Sequence, residues 1–258
     1  MLWMESAEFS MTLDRRCFLG AATGLALSAP AQAAPTPPLN GVLELFTSQG
    51  CSSCPPADLL FLSLSREPGL LALSLPVTIW DHLGWKDTLA KTVFSKRQKA
   101  YALARGDRRI YTPQAVINGV AHAVGSDAKA IEEARKDSLA HTNVLFLRPT
   151  LTRTQAGWQV EIPGLTDHAV DHATIMLAAF EREHTVTINR GENTGRTIRY
   201  GNVVRTLTRL GDLGRTAMRL ALPEGQTASP TIGLAVLVQG GTEEQPGAML
   251  GAIEVPRG

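Results

Sequence analysis

The chain has 258 residues, enough for one large domain or two ordinary ones. Hydrophobic residues make up 44% of it, which excludes a disordered chain. The formal net charge is +1 and the arginines are scattered, so nothing points to nucleic acid as a partner.

In chain order, residues 1–33 read as a targeting segment rather than as structure. Asp14-Arg15-Arg16-Cys17-Phe18-Leu19 resembles a twin-arginine (Tat) export signal, with a moderately apolar stretch from Phe18 to Ala29 behind the arginines. That stretch is too short to span a bilayer, and no other run is long enough to do so. Ala31-Gln32-Ala33 fits a small-x-small cleavage site, so the mature chain is expected to begin at Ala34. Met11 is an alternative start that gives the leader a usual length. The expectation is a periplasmic or secreted protein with no membrane span after cleavage. Cleavage also removes Cys17 and leaves Cys51 and Cys54 in an oxidising compartment, where a disulfide persists.

A Pro-rich junction leads to a folded segment expected from 39 to 142. Val42–Phe46 reads as a strand, and Ala57–Leu64 as a helix whose first turn tolerates Pro55 and Pro56. Leu70–Trp80 reads as a buried strand interrupted by Pro76. Thr92–Arg105 reads as a helix with Val93, Phe94, Tyr101 and Ala104 on one face and Lys96, Arg97 and Lys99 on others. Two β-type runs flank Asn118-Gly119, the strongest short hairpin signal. Ser126 can cap a last helix, Asp127–Leu139. The order β-α-β-α-β-β-α is that of an α/β thioredoxin-like domain, a central mixed sheet with flanking helices. From 143 to 258, about eight short strands separated by turn signals suggest an all-β sandwich-like second domain.

Between the first strand and the first helix lies Thr47-Ser48-Gln49-Gly50-Cys51-Ser52-Ser53-Cys54-Pro55-Pro56, with a C-x-x-C pair of the redox type. In such a site the first cysteine lies at a helix start, where amide groups and the helix dipole stabilise a thiolate. Cys51 is thus the expected nucleophile and Cys54 the resolving thiol. Ser52-Ser53 puts no basic residue between them. A closed zinc site needs two further Cys or His ligands, and the mature chain has no other cysteine and no finger-like histidine pair. No metal and no cofactor is therefore expected. Asp167-His168 and Asp171-His172 read as a turn between strands.

Three further features gather around the pair. Thr112-Pro113 stands at a strand start, where thioredoxin-like proteins place a substrate-binding cis-proline opposite the cysteines. Trp80 and Trp85, in Trp80-Asp81-His82-Leu83-Gly84-Trp85-Lys86-Asp87, form an expected loop contacting substrate. Glu44, on the first strand, is the candidate proton shuttle, whereas Asp58 reads as a first-turn charge complementing the helix dipole. Gly191-Glu192-Asn193 reads as a turn.

The run from Glu44 to Asp58, the tryptophan motif, Arg97-Gln98-Lys99-Ala100-Tyr101, Tyr111-Thr112-Pro113-Gln114, Gly191-Glu192-Asn193 and Asn202-Val203-Val204-Arg205 together resemble the DUF1223 family. The resemblance implies an exported thioredoxin-like protein and names no activity. The expected function is thiol–disulfide exchange with protein thiols and disulfides as partners. Two rival readings stand beside it. One is copper carriage of the Sco type, with His82 or His122 joining the thiolates. The other is a binding scaffold whose disulfide is only structural.

Overall fold

The structure is a computed structural model describing residues 38–166, 170–222 and 231–256. The expected leader and Asp167-His168 lie outside the described residues. The first half runs β1 (Gly41–Thr47), α1 (Pro55–Leu64), β2 (Leu70–Pro76), α2 (Thr92–Ala104), β3 (Gln114–Ile117), β4 (Ala121–Val124) and α3 (Ala128–Leu139). Pro55 and Pro56 occupy the first two helical positions of α1, where a missing N–H costs nothing. Pro76 ends β2, and the rest of the expected strand turns into a short 3-10 turn at Thr78–Trp80. Asn118 and Gly119 both have positive φ, the hairpin turn that their residue types favour. The cap of α3 is Asp127, whose carboxylate accepts from the Ala130 amide at 2.9 Å, rather than Ser126.

The second half runs β5 (Thr150–Thr154), β6 (Gly157–Ile162), β7 (Ala173–Thr187), β8 (Thr197–Leu213), β9 (Met218–Ala221), β10 (Ile232–Gly241) and β11 (Pro246–Glu254). The two strands expected at 174–180 and 185–188 are one. Glu181-Arg182-Glu183-His184 looks like a break, yet it continues the ladder, with Glu183 opposite Gly201 and His184 opposite Tyr200. There the strand is only part-buried, so polar side chains suit it.

The second half does not stand apart as its own sandwich. Eight strands form one mixed sheet in the order β11-β10-β7-β8-β2-β1-β3-β4, and β5-β6-β9 form a second, antiparallel sheet. The halves join where β8 runs parallel to β2, Ser74 opposite Val203. Ser74 Oγ donates to Gly201 O at 2.9 Å and Asn202 Nδ2 to Ala72 O at 3.0 Å. Three helices are present among the described residues. None is long and apolar enough to cross a membrane.

Strand pleating assigns the two faces of β1. Leu43 and Leu45 pack with Ala57 and Phe61 of α1 and Ile131 of α3. Val42 and Phe46 face the larger core that holds Phe94 and Tyr101 of α2, Trp158 and Val160 of β6, and Ile175 and Leu177 of β7. Glu44 shares the parity of Val42 and Phe46, so its carboxylate must be matched on the α2 side. Arg97 does this, with Nε to Oε1 at 2.7 Å and Nη2 to Oε2 at 2.9 Å. Arg97 is therefore buried on the same face as Tyr101, one turn on, while Val93 points outward at 49% exposure. The Tyr101 hydroxyl donates to Glu44, and Gln239 of β10 bonds both Arg97 Nη2 and the Tyr101 hydroxyl. Proximity to Glu44 pushes the Arg97 pKa further up against the cost of burial, and burial pushes Tyr101 up.

Removing one member of a buried ion pair strands the other charge. Arg97→Ala is expected to lower unfolding free energy by about 3–5 kcal/mol. Arg97→Met combined with Glu44→Leu should recover most of that loss. Urea denaturation of wild type and the two variants measures both effects.

Candidate functional site

Cys51 and Cys54 form a disulfide with Cα atoms 5.4 Å apart. Cys51 retains 5% exposure and Cys54 none, while Ser52 and Ser53 between them face solvent. The residue at the start of α1 is Cys54, not Cys51, which lies in the turn before it. Cys54 O accepts from the amides of Ala57 and Asp58 at 2.9 and 3.0 Å. Pro55 and Pro56 carry no N–H at all. The helix start therefore presents no spare amide to a thiolate, unlike the arrangement expected from the spacing.

The residues before the disulfide are held from three directions, and Gln49 is the hub. Its amide donates to Asp87 Oδ2 at 2.8 Å. Its side-chain oxygen accepts from Trp85 Nε1 at 2.8 Å, and its Nε2 donates to Thr88 Oγ1 at 3.1 Å. Asn193 Nδ2 donates to the carbonyl oxygens of Gln49 and Cys51, at 2.9 and 2.8 Å. Two carbonyls facing one side-chain amide fix its orientation, because the flipped form would set oxygen against oxygen. Gly50 leaves space for Trp80, since a Cβ there would lie 2.9 Å from the tryptophan Cβ.

The tryptophan motif therefore clamps the site. Trp85 grips the cysteine loop, and Trp80 Nε1 donates to Thr112 Oγ1 at 2.7 Å. The Thr112-Pro113 peptide bond is cis. Gln98 of α2 holds the same segment by donating to Tyr111 O at 2.8 Å. Pro113 and Ala57 converge on Gly125, where an added Cβ would lie 3.1 and 3.3 Å from their Cβ atoms. The cis segment thus packs beside the first turn of α1. His122, one candidate copper ligand, has Nδ1 bonded to the Tyr111 hydroxyl at 2.8 Å and Nε2 paired with Asp107 at 3.0 Å. His82, the other, stacks on Trp80. Among the described residues, no three His, Cys, Asp or Glu gather into a possible metal site.

Both oxygens of Glu44 are engaged by Arg97 and Tyr101 on the α2 side of the sheet. Asp58, expected as a first-turn charge complementing the helix dipole, is 1% exposed, one turn on from Cys54. Thr47 Oγ1 donates to its Oδ1 at 2.7 Å, and its Oδ2 has no partner among the described residues. Burial pushes the Asp58 carboxyl up to about 8, the Thr47 bond pulls back against this, and Asp87 adds to the rise. Burial also raises Asp87, despite the Gln49, Leu89 and Ala90 amides that it accepts. Tyr200 completes this polar patch. Its hydroxyl is buried without a partner among the described residues, and burial followed by the nearby Asp58 and Asp87 drives its pKa up.

Gln49, Asp87 and Asn193 are thus residues that sequence reasoning gave no site role, and Asp58 one that it read as a first-turn helix charge rather than a buried acid. Each lay inside a recognised motif, but only the fold shows that all four are buried around one loop.

The family described as "Protein of unknown function (DUF1223)" matches residues 42–239. The crystal structure of protein AGR_C_4864 from Agrobacterium tumefaciens is 30% identical, with 86% of this chain and 96% of that one covered and a TM-score of 0.74. HBP35 of Porphyromonas gingivalis shares the fold at 10% identity, over 84% of this chain and 75% of that one, with a TM-score of 0.54. No curated protein matches.

Two outcomes are expected of this geometry. Asn193→Ala should destabilise the oxidised protein by about 1–3 kcal/mol in urea, since two buried carbonyls lose their donor. Asp58 binds its proton more tightly folded than unfolded, where its pKa is near 3.8. Its contribution to stability is complete below that value and is lost as pH rises through about 8. The melting temperature of wild type should fall across that window, and Asp58→Asn should flatten the fall.

Proposed function

Since the chain belongs to the DUF1223 family, whose description assigns no activity, we propose that it is a thiol–disulfide oxidoreductase with Cys51 as the exchanging sulfur. The observation that carries this reading is a Cys51–Cys54 disulfide behind solvent-facing Ser52 and Ser53, with a cis-proline segment packed beside the first turn of α1 and a buried carboxyl, Asp58, one turn on from Cys54. A disulfide closing a two-residue loop contributes little to folding, which argues against a purely structural role. The run β1-α1-β2-α2-β3-β4-α3 supports a thioredoxin-like reading of the first half. The Tat-type leader would deliver the protein to an oxidising compartment and its partners there.

The reaction follows from the site. In the reduced protein, the Cys51 thiolate attacks one sulfur of a client disulfide and releases the other as a thiolate. Cys54 then attacks Cys51 Sγ, closing the Cys51–Cys54 disulfide and freeing the second client thiol. Two electrons pass to the client. In the reverse half-reaction a donor thiolate attacks Cys51, and the Cys54 sulfur leaves with the bonding pair. Asp58 stands one turn away with a proton and can neutralise that leaving group. Because the proline-blocked helix start gives a thiolate no amide, the dithiol is not specially stabilised. A strong oxidant depends on such stabilisation, so the reading favours a reductant.

The test is exchange with a protein disulfide. Cys51→Ser should lose the activity entirely, and Cys54→Ser should accumulate mixed disulfides with clients. A Cys51→Ser protein exchanging at the wild-type rate would overturn the mechanism. The potential should lie nearer about −270 mV than about −120 mV. A second measurement isolates Asp58. With donor-thiol ionisation corrected, reduction of the oxidised protein should slow as pH rises through about 8. In Asp58→Asn it should be slower and free of that inflection.

A further inference from the structure

A groove of about 420 Å³ opens between α1 and the start of β8, lined from Pro55, the residue after Cys54. Pro55, Leu59 and Leu62 form one wall, and Arg196, Thr197, Ile198 and Arg199 the other. Leu59 is 67% exposed, the most exposed large hydrophobic side chain among the described residues. A lone exposed leucine carries no meaning, but this one lines a concavity that begins at the residue after Cys54. The opposite wall continues from the loop whose Asn193 holds the Cys51 carbonyl. The groove thus reaches the residue next to the disulfide, whose Ser52 and Ser53 face solvent.

Charge selects the occupant. No carboxylate lines the groove. Arg199 spends its charge on Glu183 at 2.6 Å, but the exposed Arg196 side chain has no hydrogen bond or ion pair among the described residues. We propose that this groove docks client proteins through a segment that places a large aliphatic side chain against Leu59 and an acidic side chain against Arg196, next to the client cysteine. The proposal rests on the exchange reading, whose substrate class it supplies. The aliphatic contact provides most of the affinity by burying both side chains, and the exposed ion pair adds orientation more than strength.

The experiment separates docking from chemistry. A labelled peptide with Leu and Asp flanking a serine, in place of the client cysteine, is titrated onto the full oxidised protein by fluorescence anisotropy. A Ser and Lys version is the comparison. The acidic, aliphatic peptide should bind about tenfold or more tightly. Leu59→Ser and Arg196→Glu, both at exposed positions, should each remove most of that preference. With cysteine restored as a mixed disulfide, the same preference should appear in the exchange rate, and Leu59→Ser and Arg196→Glu should each reduce it. Equal binding of the two peptides, or a preference that survives both substitutions, overturns the docking site whether or not exchange occurs. Self-association of wild type that Leu59→Ser abolishes also overturns it, because the occupant is then a second copy. Binding preference without any exchange supports the groove and overturns the oxidoreductase reading instead.

Discussion

The buried pair of Glu44 and Arg97 is the constraint that the rest of the structure satisfies. Taking two charges out of water costs several kcal/mol per ion, and their attraction offsets this only with good geometry and further hydrogen bonds. The two bonds between them give the geometry, and Tyr101 and Gln239 give the rest. Gln239 belongs to β10, well over a hundred residues from Glu44, and its Nε2 also donates to Gly247 O. An isolated first half would hold a buried arginine with its partners incomplete. The two halves are thus bound to fold as one sheet, and the β8–β2 junction completes it.

That shared sheet explains why the cysteine loop has its present form. Residues 47–51 are almost wholly buried, although they connect a strand to a helix, and buried loop backbone needs partners. The Trp80–Asp87 motif supplies some and the Gly191–Asn193 turn supplies the others. The turn can arrive only because β7 and β8 extend past the sheet core as a long hairpin. Gly191 belongs to the same contact, since a Cβ there would lie 3.2 Å from that of Trp85. The second half is therefore part of the site's construction rather than an appendage to it.

Proton handling shows a similar dependence. Two acids flank the cysteines in sequence, Glu44 before and Asp58 after, and their residue types do not separate them. Pleat parity sends Glu44 toward α2, where a guanidinium waits. Helical periodicity turns Asp58 inward, where Thr47 offers one hydrogen bond and no ion-pair partner stands among the described residues. The first environment engages both oxygens of the carboxylate, and the second, through burial, pushes the carboxyl pKa up. The same burial that costs stability at high pH is what gives Asp58 a useful pKa.

Local chemistry was legible from the chain alone. Proline positions marked the start of α1 and the end of β2, Asn118-Gly119 marked the hairpin, and the cysteine spacing marked the disulfide. These follow from backbone sterics and covalent reach, which act over a few residues. Thr112-Pro113 and the two tryptophans were legible as pieces, but their mutual bond was not. Tertiary structure alone decided that β7 and β8 continue the first sheet, that Arg97 is buried, and that Asn193 holds the cysteine loop. It also decided that Glu44 is paired with Arg97 while Asp58 is buried with one oxygen unpartnered among the described residues. Each of these rests on a partner far away in sequence. Residue type states what a side chain needs, and only the fold states which distant group meets that need.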